Sequence, residues 1–128
     1  MKILITGATG FVGQTLIPQL QKQHSQVDIL TLNRSVRKAE IMYPSDTYPC
    51  VKHTYADDWK QVKLFNPELV VHLAAFNTSS NDSEVINSLV STNITYGILL
   101  LDALSQCESL KLFILSLIHI SEPTRRRG

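Results

Sequence analysis

The chain has 128 residues, 44% of them hydrophobic, with 12 Lys and Arg against 11 Asp and Glu, which fits one α/β domain with its own core. That near-neutral balance gives no reason to expect nucleic acid as a partner, and the absence of a signal segment or a bilayer-length apolar run predicts a cytoplasmic protein with no membrane partner. Cys50 and Cys107 show neither C-x-x-C nor metal-ligand spacing, so two reduced thiols and no metal site are expected.

The first predicted strand, residues 2–6, runs straight into Gly7-Ala8-Thr9-Gly10-Phe11-Val12-Gly13, which opens a helix over about 11–23. A strand, a glycine-rich turn and a helix N-terminus in this order let backbone N–H groups receive a diphosphate. Gly7 permits the tight turn, Gly10 keeps a side chain out of the diphosphate's way, and Gly13 lets the helix lie close on the sheet. Val12, Leu16, Ile17 and Leu20 form its apolar stripe. Pro18 removes one helical hydrogen bond at ~3 kcal/mol and predicts a bend.

The G-x-x-G-x-x-G spacing within Ile5-Thr6-Gly7-Ala8-Thr9-Gly10-Phe11-Val12-Gly13 resembles the extended short-chain dehydrogenase/reductase family. The similarity is to its NAD(P)-dependent epimerase/dehydratase branch, which acts on nucleotide sugars, and it runs from Met1 to about Ile114. The resemblance implies an oxidoreductase-type parent enzyme with a nucleotide-sugar substrate, homodimeric, whose cofactor contacts Gly7, Thr9, Gly10, Phe11, Val12 and Gly13.

The second strand, 27–32, ends at Asn33-Arg34-Ser35. The residue at this strand end, about 20 positions past the glycines, reads the adenosine ribose. Asn33 brings no carboxylate to repel a 2′-phosphate, and Arg34, Arg37 and Lys38 supply donors and positive charge. NADP is therefore expected, with NAD the other reading and a merely solvated basic loop the bland one. The third strand, 50–55, leads to Asp57 and Asp58. The resemblance gives Asp57 the adenine amino group, while Asp58 is placed to cap a helix over 58–64; exchanged roles would move the adenine contact by one residue.

The fourth strand, 69–73, is continuously apolar, as a central parallel strand should be. Leu73, Ala74 and Ala75 at its end resemble the family's stretch beside the nicotinamide ribose and diphosphate. His72, inside the strand, reads as a core histidine rather than a base. A helix over 82–106 follows, opened by Asn81 with Glu84, with Ile86, Val90, Ile94, Gly97, Leu101 and Leu104 as its sheet-facing side. Asn93 falls in that stripe, where a buried amide needs partners; the resemblance gives it a supporting role at the active site. Gly97 is expected to permit close approach to the sheet. With a fifth strand at 110–114, the alternation predicts a Rossmann-type doubly wound parallel sheet in the order 3-2-1-4-5.

Family catalysis uses a Ser or Thr past the fifth strand and a Tyr-x-x-x-Lys on the next helix, four residues apart on one face. The chain ends before that segment. Tyr48-Pro49-Cys50-Val51-Lys52 matches the pattern on paper, but an extended backbone would set the two side chains ~13 Å apart along the chain. The domain is thus expected to span 1–114, to hold no catalytic pair and to be inactive alone, with apolar surface exposed on strands four and five. Residues 115–128, opening Leu115-Ser116-Leu117-Ile118-His119-Ile120-Ser121-Glu122-Pro123-Thr124-Arg125, resemble a translated sequencing adapter and are excluded from fold expectations. The other reading of that stretch is a natural strand with a basic tail. For the parent, the alternative to an enzyme is a non-catalytic dinucleotide sensor or scaffold on the same fold.

Overall fold

Alternation of apolar side chains along Lys2–Thr6 and Asp28–Asn33 sends Ile3, Ile5 and Ile29 to one face of a sheet and Leu4, Leu30 and Leu32 to the other. In the computed structural model, which describes residues 1–24, 26–73 and 83–115, these two strands are β1 and β2. They are followed by β3 (Val51–Tyr55), β4 (Leu69–His72) and β5 (Leu112–Leu115). All pairings are parallel and the order is β3-β2-β1-β4-β5, the expected doubly wound α/β arrangement.

The helices α1 (Phe11–Gln23), α2 (Val36–Met42), α3 (Trp59–Phe65) and α4 (Ser83–Leu104) make the crossovers. Ile17 of α1 and Tyr43 just past α2 pack with Ile3, Ile5, Ile29 and Val51 on one face. Val62 of α3 and Leu100, Ala103 and Leu104 of α4 pack with Leu4, Leu30 and Val70 on the other. The helix α1 passes through Pro18 unbroken to Gln23. At the end of α3, Asn66 adopts the left-handed conformation (φ 51°) and exchanges hydrogen bonds with Ser109, donating to its Oγ at 2.9 Å and accepting from its N–H at 3.2 Å. An Asn tolerates that backbone because its short amide bonds locally.

Four expectations need correcting. The helix α2 is not among the expected elements: its seven residues bury only Ala39 fully, too few to print a helical period. The face of α4 is partly turned from the stripe expected: Leu104 is buried as expected, and the side chains of Ile86 and Val90 lie outside the described residues. Leu100 is 0% exposed, whereas Ile94 and Leu101 are 57% and 54% exposed; the covered side runs through Asn93, Tyr96, Leu100, Ala103 and Leu104. Ile94, Ile98 and Leu101 carry the apolar surface of the helix well beyond its covered side, so hydrophobicity alone does not select the packed face. A Cβ at Gly97 would meet nothing within 4 Å among the described residues, so no close approach to any of them explains that glycine. Finally, β4 is not an exposed strand. Val70 and Val71 are buried between β1 and β5, and the uncovered residues are Leu112, Ile114 and Leu115 of β5.

Candidate dinucleotide site

The parallel registers pair Thr6 with both Leu32 and His72, and Asn33 with Tyr55. The carboxyl ends of β1, β2, β3 and β4 therefore share one sheet edge, which gathers the Gly7–Gly13 turn, Asn33, the Asp57-Asp58 turn and Leu73. Ala74 and Ala75, and the Asn81 cap, lie outside the described residues.

Gly7 has φ 75°, a conformation that excludes ordinary side chains. Gly10 is the N-cap of α1 and carries no capping side chain, so the N–H groups of Phe11, Val12 and Gly13 in the first turn have no intrahelical acceptor. A Cβ at Gly10 would meet only the Gly7 carbonyl, at 3.3 Å. This exposed cradle of unfilled donors, at the positive end of a 13-residue helix, fits a diphosphate. Gly13 has a different reason from the one expected. A Cβ there would stand 2.3 Å from the Ala8 oxygen, so what it must clear is the turn's own backbone.

Tyr43 holds that turn from beneath, its hydroxyl donating to the Ala8 carbonyl at 2.6 Å. In a trans peptide the N–H opposes the C=O, so anchoring the Ala8 oxygen inward directs the Thr9 N–H outward. Burial, with Tyr48 beside it, pushes the Tyr43 phenol up to about 12, which keeps the proton of this bond in place. Between β1 and β4, Thr6 Oγ1 bonds His72 Nδ1 at 2.6 Å and accepts the Leu73 N–H at 3.0 Å. His72 closes β4 rather than lying within it. Its ring is buried and near-parallel to that of Tyr96, with centroids 6.0 Å apart and an interplanar angle of 30°. Burial lowers its pKa, which favours the neutral ring and agrees with a core role.

At the β3 end the two aspartates differ. Asp58 caps α3, accepting the Gln61 N–H at 3.2 Å and the Thr54 hydroxyl at 2.5 Å. Asp57 is exposed. Tyr96 donates to the Ala56 carbonyl at 2.8 Å and packs on Trp59 with ring centroids 5.5 Å apart; burial and then the Asp57 charge push its phenol pKa up. Asn93, one turn before Tyr96, is half-buried. At the β2 end Asn33 is buried with its amide bonded into the sheet, while Arg34, Arg37 and Lys38 are exposed.

Tyr48 and Lys52 share no helix, since Lys52 lies in β3 and Tyr48 packs edge-on against Tyr43 with centroids 5.2 Å apart. Sequence reasoning missed Tyr43, Tyr96, Thr31 and His53. Only Tyr96 left a signal, its three-residue spacing from Asn93; Thr31 and His53 meet through strand register, and Tyr43 reaches the turn from just past α2.

Residues 3–121 match the NAD dependent epimerase/dehydratase family. The chain is 33% identical over 86 residues to the chloroplastic epimerase family protein SDR39U1 homolog of Arabidopsis thaliana, a match over 67% of this chain and 24% of that protein. Among solved structures, UDP-glucose-4-epimerase from Stenotrophomonas maltophila, with bound NAD and formylated UDP-arabinopyranose, superposes with a TM-score of 0.73 at 18% identity, over 97% of this chain and 38% of the other. Gre2 from Candida albicans, in complex with NADPH, gives 0.73 at 17% identity, over 90% and 36%. The matches thus span well under half of each of these longer proteins. Among the described residues, no helix is long and apolar enough to cross a membrane.

Proposed function

Because the chain belongs to the NAD dependent epimerase/dehydratase family, we propose that it is the dinucleotide-binding portion of a parent enzyme that epimerises, dehydrates or reduces a nucleotide-linked sugar. One observation carries this reading: the Gly7–Gly13 turn, Asn33, Asp57 and Leu73 stand on one sheet edge, beside donors that no helical carbonyl satisfies. The diphosphate is assigned to Thr9, Gly10, Phe11 and Val12, with Gly7 and Gly13 shaping the turn. Asn33 and Arg34 are assigned to the adenosine ribose. Asp57 takes the adenine amino group, since Asp58 is engaged as a cap. Leu73, Ala74 and Ala75 border the nicotinamide ribose, and Asn93 supports the site from α4.

When bound, the nicotinamide ring supplies or accepts the hydride. The residues of this chain bind and orient it, and proton transfer belongs to a downstream segment of the parent. NADP is the assigned cofactor: Arg34, Arg37 and Lys38 are exposed beside a strand end without a carboxylate, which suits a 2′-phosphate. Structural neighbours crystallised with NAD, with NADPH and with UDP or UDP-sugars support the cofactor and substrate classes. A cytoplasmic homodimer is proposed for the parent, and residues 115–128 are assigned to translated adapter, of which Leu115 nonetheless pairs with His72 at the end of β5.

Titration of NADPH and NADH against the wild type and Arg34→Ala tests the cofactor assignment. Loss of NADPH affinity with NADH affinity kept is the expected result, and equal NADPH affinity in the two proteins refutes the preference. A Gly10→Val protein that stays folded and binds dinucleotide normally removes the diphosphate from this turn.

A further inference from the structure

Asn33 closes β2 with its amide nitrogen turned into the sheet. Nδ2 donates to Thr31 Oγ1 at 2.7 Å and to the carbonyls of Thr31 and Thr54, each at 3.2 Å. Two of these acceptors are carbonyl oxygens with no proton to give, so the flipped amide would set oxygen against oxygen. The nitrogen must face inward, and Oδ1 is what the side chain has left for the sheet edge.

Thr31 is fixed in turn. His53 Nε2 donates to the Tyr43 carbonyl at 3.2 Å, which in the neutral ring makes Nδ1 the acceptor of the Thr31 hydroxyl at 2.6 Å. The other acceptor for that proton, the Lys52 carbonyl, is farther away at 3.4 Å. With its proton committed to His53, Thr31 Oγ1 turns lone pairs toward Asn33 Nδ2.

We infer that Thr31 is a positioning residue for the cofactor, holding Asn33 as a fixed hydrogen-bond acceptor for a hydroxyl of the adenosine ribose. The inference rests on the dinucleotide reading proposed above. An amide oxygen accepts from a hydroxyl and donates nothing to a phosphate. Asn33 therefore takes the ribose 3′-hydroxyl, which NADH and NADPH share, and contributes equally to both. Selection between them falls to Arg34, whose guanidinium can pair with a 2′-phosphate.

Calorimetric titration of NADH and NADPH into the full chain tests this with Thr31→Val, Thr31→Ser and Asn33→Asp. Thr31→Val keeps the shape and loses the acceptor, so both affinities fall together, by roughly five- to tenfold, with their ratio unchanged. Thr31→Ser restores both. Asn33→Asp weakens both, because a carboxylate oxygen replaces the donor that faces the Thr31 and Thr54 carbonyls, and weakens NADPH the more, because the new charge repels the 2′-phosphate. Wild-type affinities in Thr31→Val, a changed NADPH-to-NADH ratio in Thr31→Val, or tighter NADH binding by Asn33→Asp would overturn the inference while leaving the dinucleotide reading intact. A wild-type chain that binds neither cofactor removes both.

Discussion

On the β3-β2-β1 side of the sheet, Asn33, Thr31, His53 and Tyr43 are hydrogen bonded in series, and the series ends on the Ala8 carbonyl of the glycine turn. On the β4-β5 side the described contacts are mainly apolar, and one flank is uncovered: Ile94, Ile98 and Leu101 on α4, with Leu112, Ile114 and Leu115 on β5. The contrast separates two kinds of specification. Directional bonds fix where individual atoms point on the first side, whereas the second is held by burial, which is indifferent to direction.

The largest effect expected is at Gly13. A Val there drives its Cβ into the backbone of Ala8, 2.3 Å from the oxygen and 2.7 Å from Cα, and neither can yield as a flexible side chain would. Destabilisation of about 4 kcal/mol or more is expected in chemical denaturation, and a near-wild-type midpoint would show that the turn is softer than its geometry.

On the apolar side, Leu100→Ala empties a wholly buried position and should cost about 3 kcal/mol. Ile98→Ala, on the open flank and 61% exposed, should stay within about 0.5 kcal/mol. Equal costs would mean that the outer face of α4 is covered in solution.

Tyr43→Phe removes one hydroxyl from the polar side and leaves the Ala8 oxygen without its donor, at a cost of about 1–2 kcal/mol. The same variant should lose affinity for ADP and keep its affinity for adenosine, since only the former has a diphosphate to meet the Thr9 N–H. Parallel losses for the two ligands would assign Tyr43 a purely structural part.

The smallest effect lies at His72, where the two sides meet. Its pKa is lowered in the folded chain, so the unfolded state takes up the proton first as pH falls below about 6.5. The stability from the neutral ring is present above that pH and is lost below it. Melting curves between about pH 7.5 and 5 should therefore fall for the wild type and flatten in His72→Asn. Identical slopes would remove His72 as the cause.

Much of the sheet was legible from sequence because its strands are short apolar runs and its first turn carries glycines. The consecutive apolar residues Ile3, Leu4 and Ile5 and the run Leu69-Val70-Val71 identify buried strands, and the parallel order follows from the crossovers. The helix α2 was invisible, since Arg37, Lys38 and Glu40 are exposed around the one fully buried Ala39. The side chains that orient Asn33 were invisible for another reason. Thr31 and His53 are 22 residues apart and look like ordinary strand residues until the register of β2 on β3 places them together. The orientation of α4 failed because Ile94 and Leu101 are as hydrophobic as Leu100, and composition cannot distinguish a face packed on the sheet from one left open.

Trp59 is the chain's one tryptophan, and its ring lies against Tyr96, which in turn bonds the backbone just before Asp57. The protein thus carries an optical probe at the corner assigned to adenine. Tryptophan emission overlaps the absorption of reduced nicotinamide, so a dinucleotide lying along the sheet edge would quench Trp59 by energy transfer, whereas ADP, lacking that ring, would alter the emission only through the local contact. Comparing the two signals would measure how far the nicotinamide extends from the adenine corner in the native chain, without a label or a substitution.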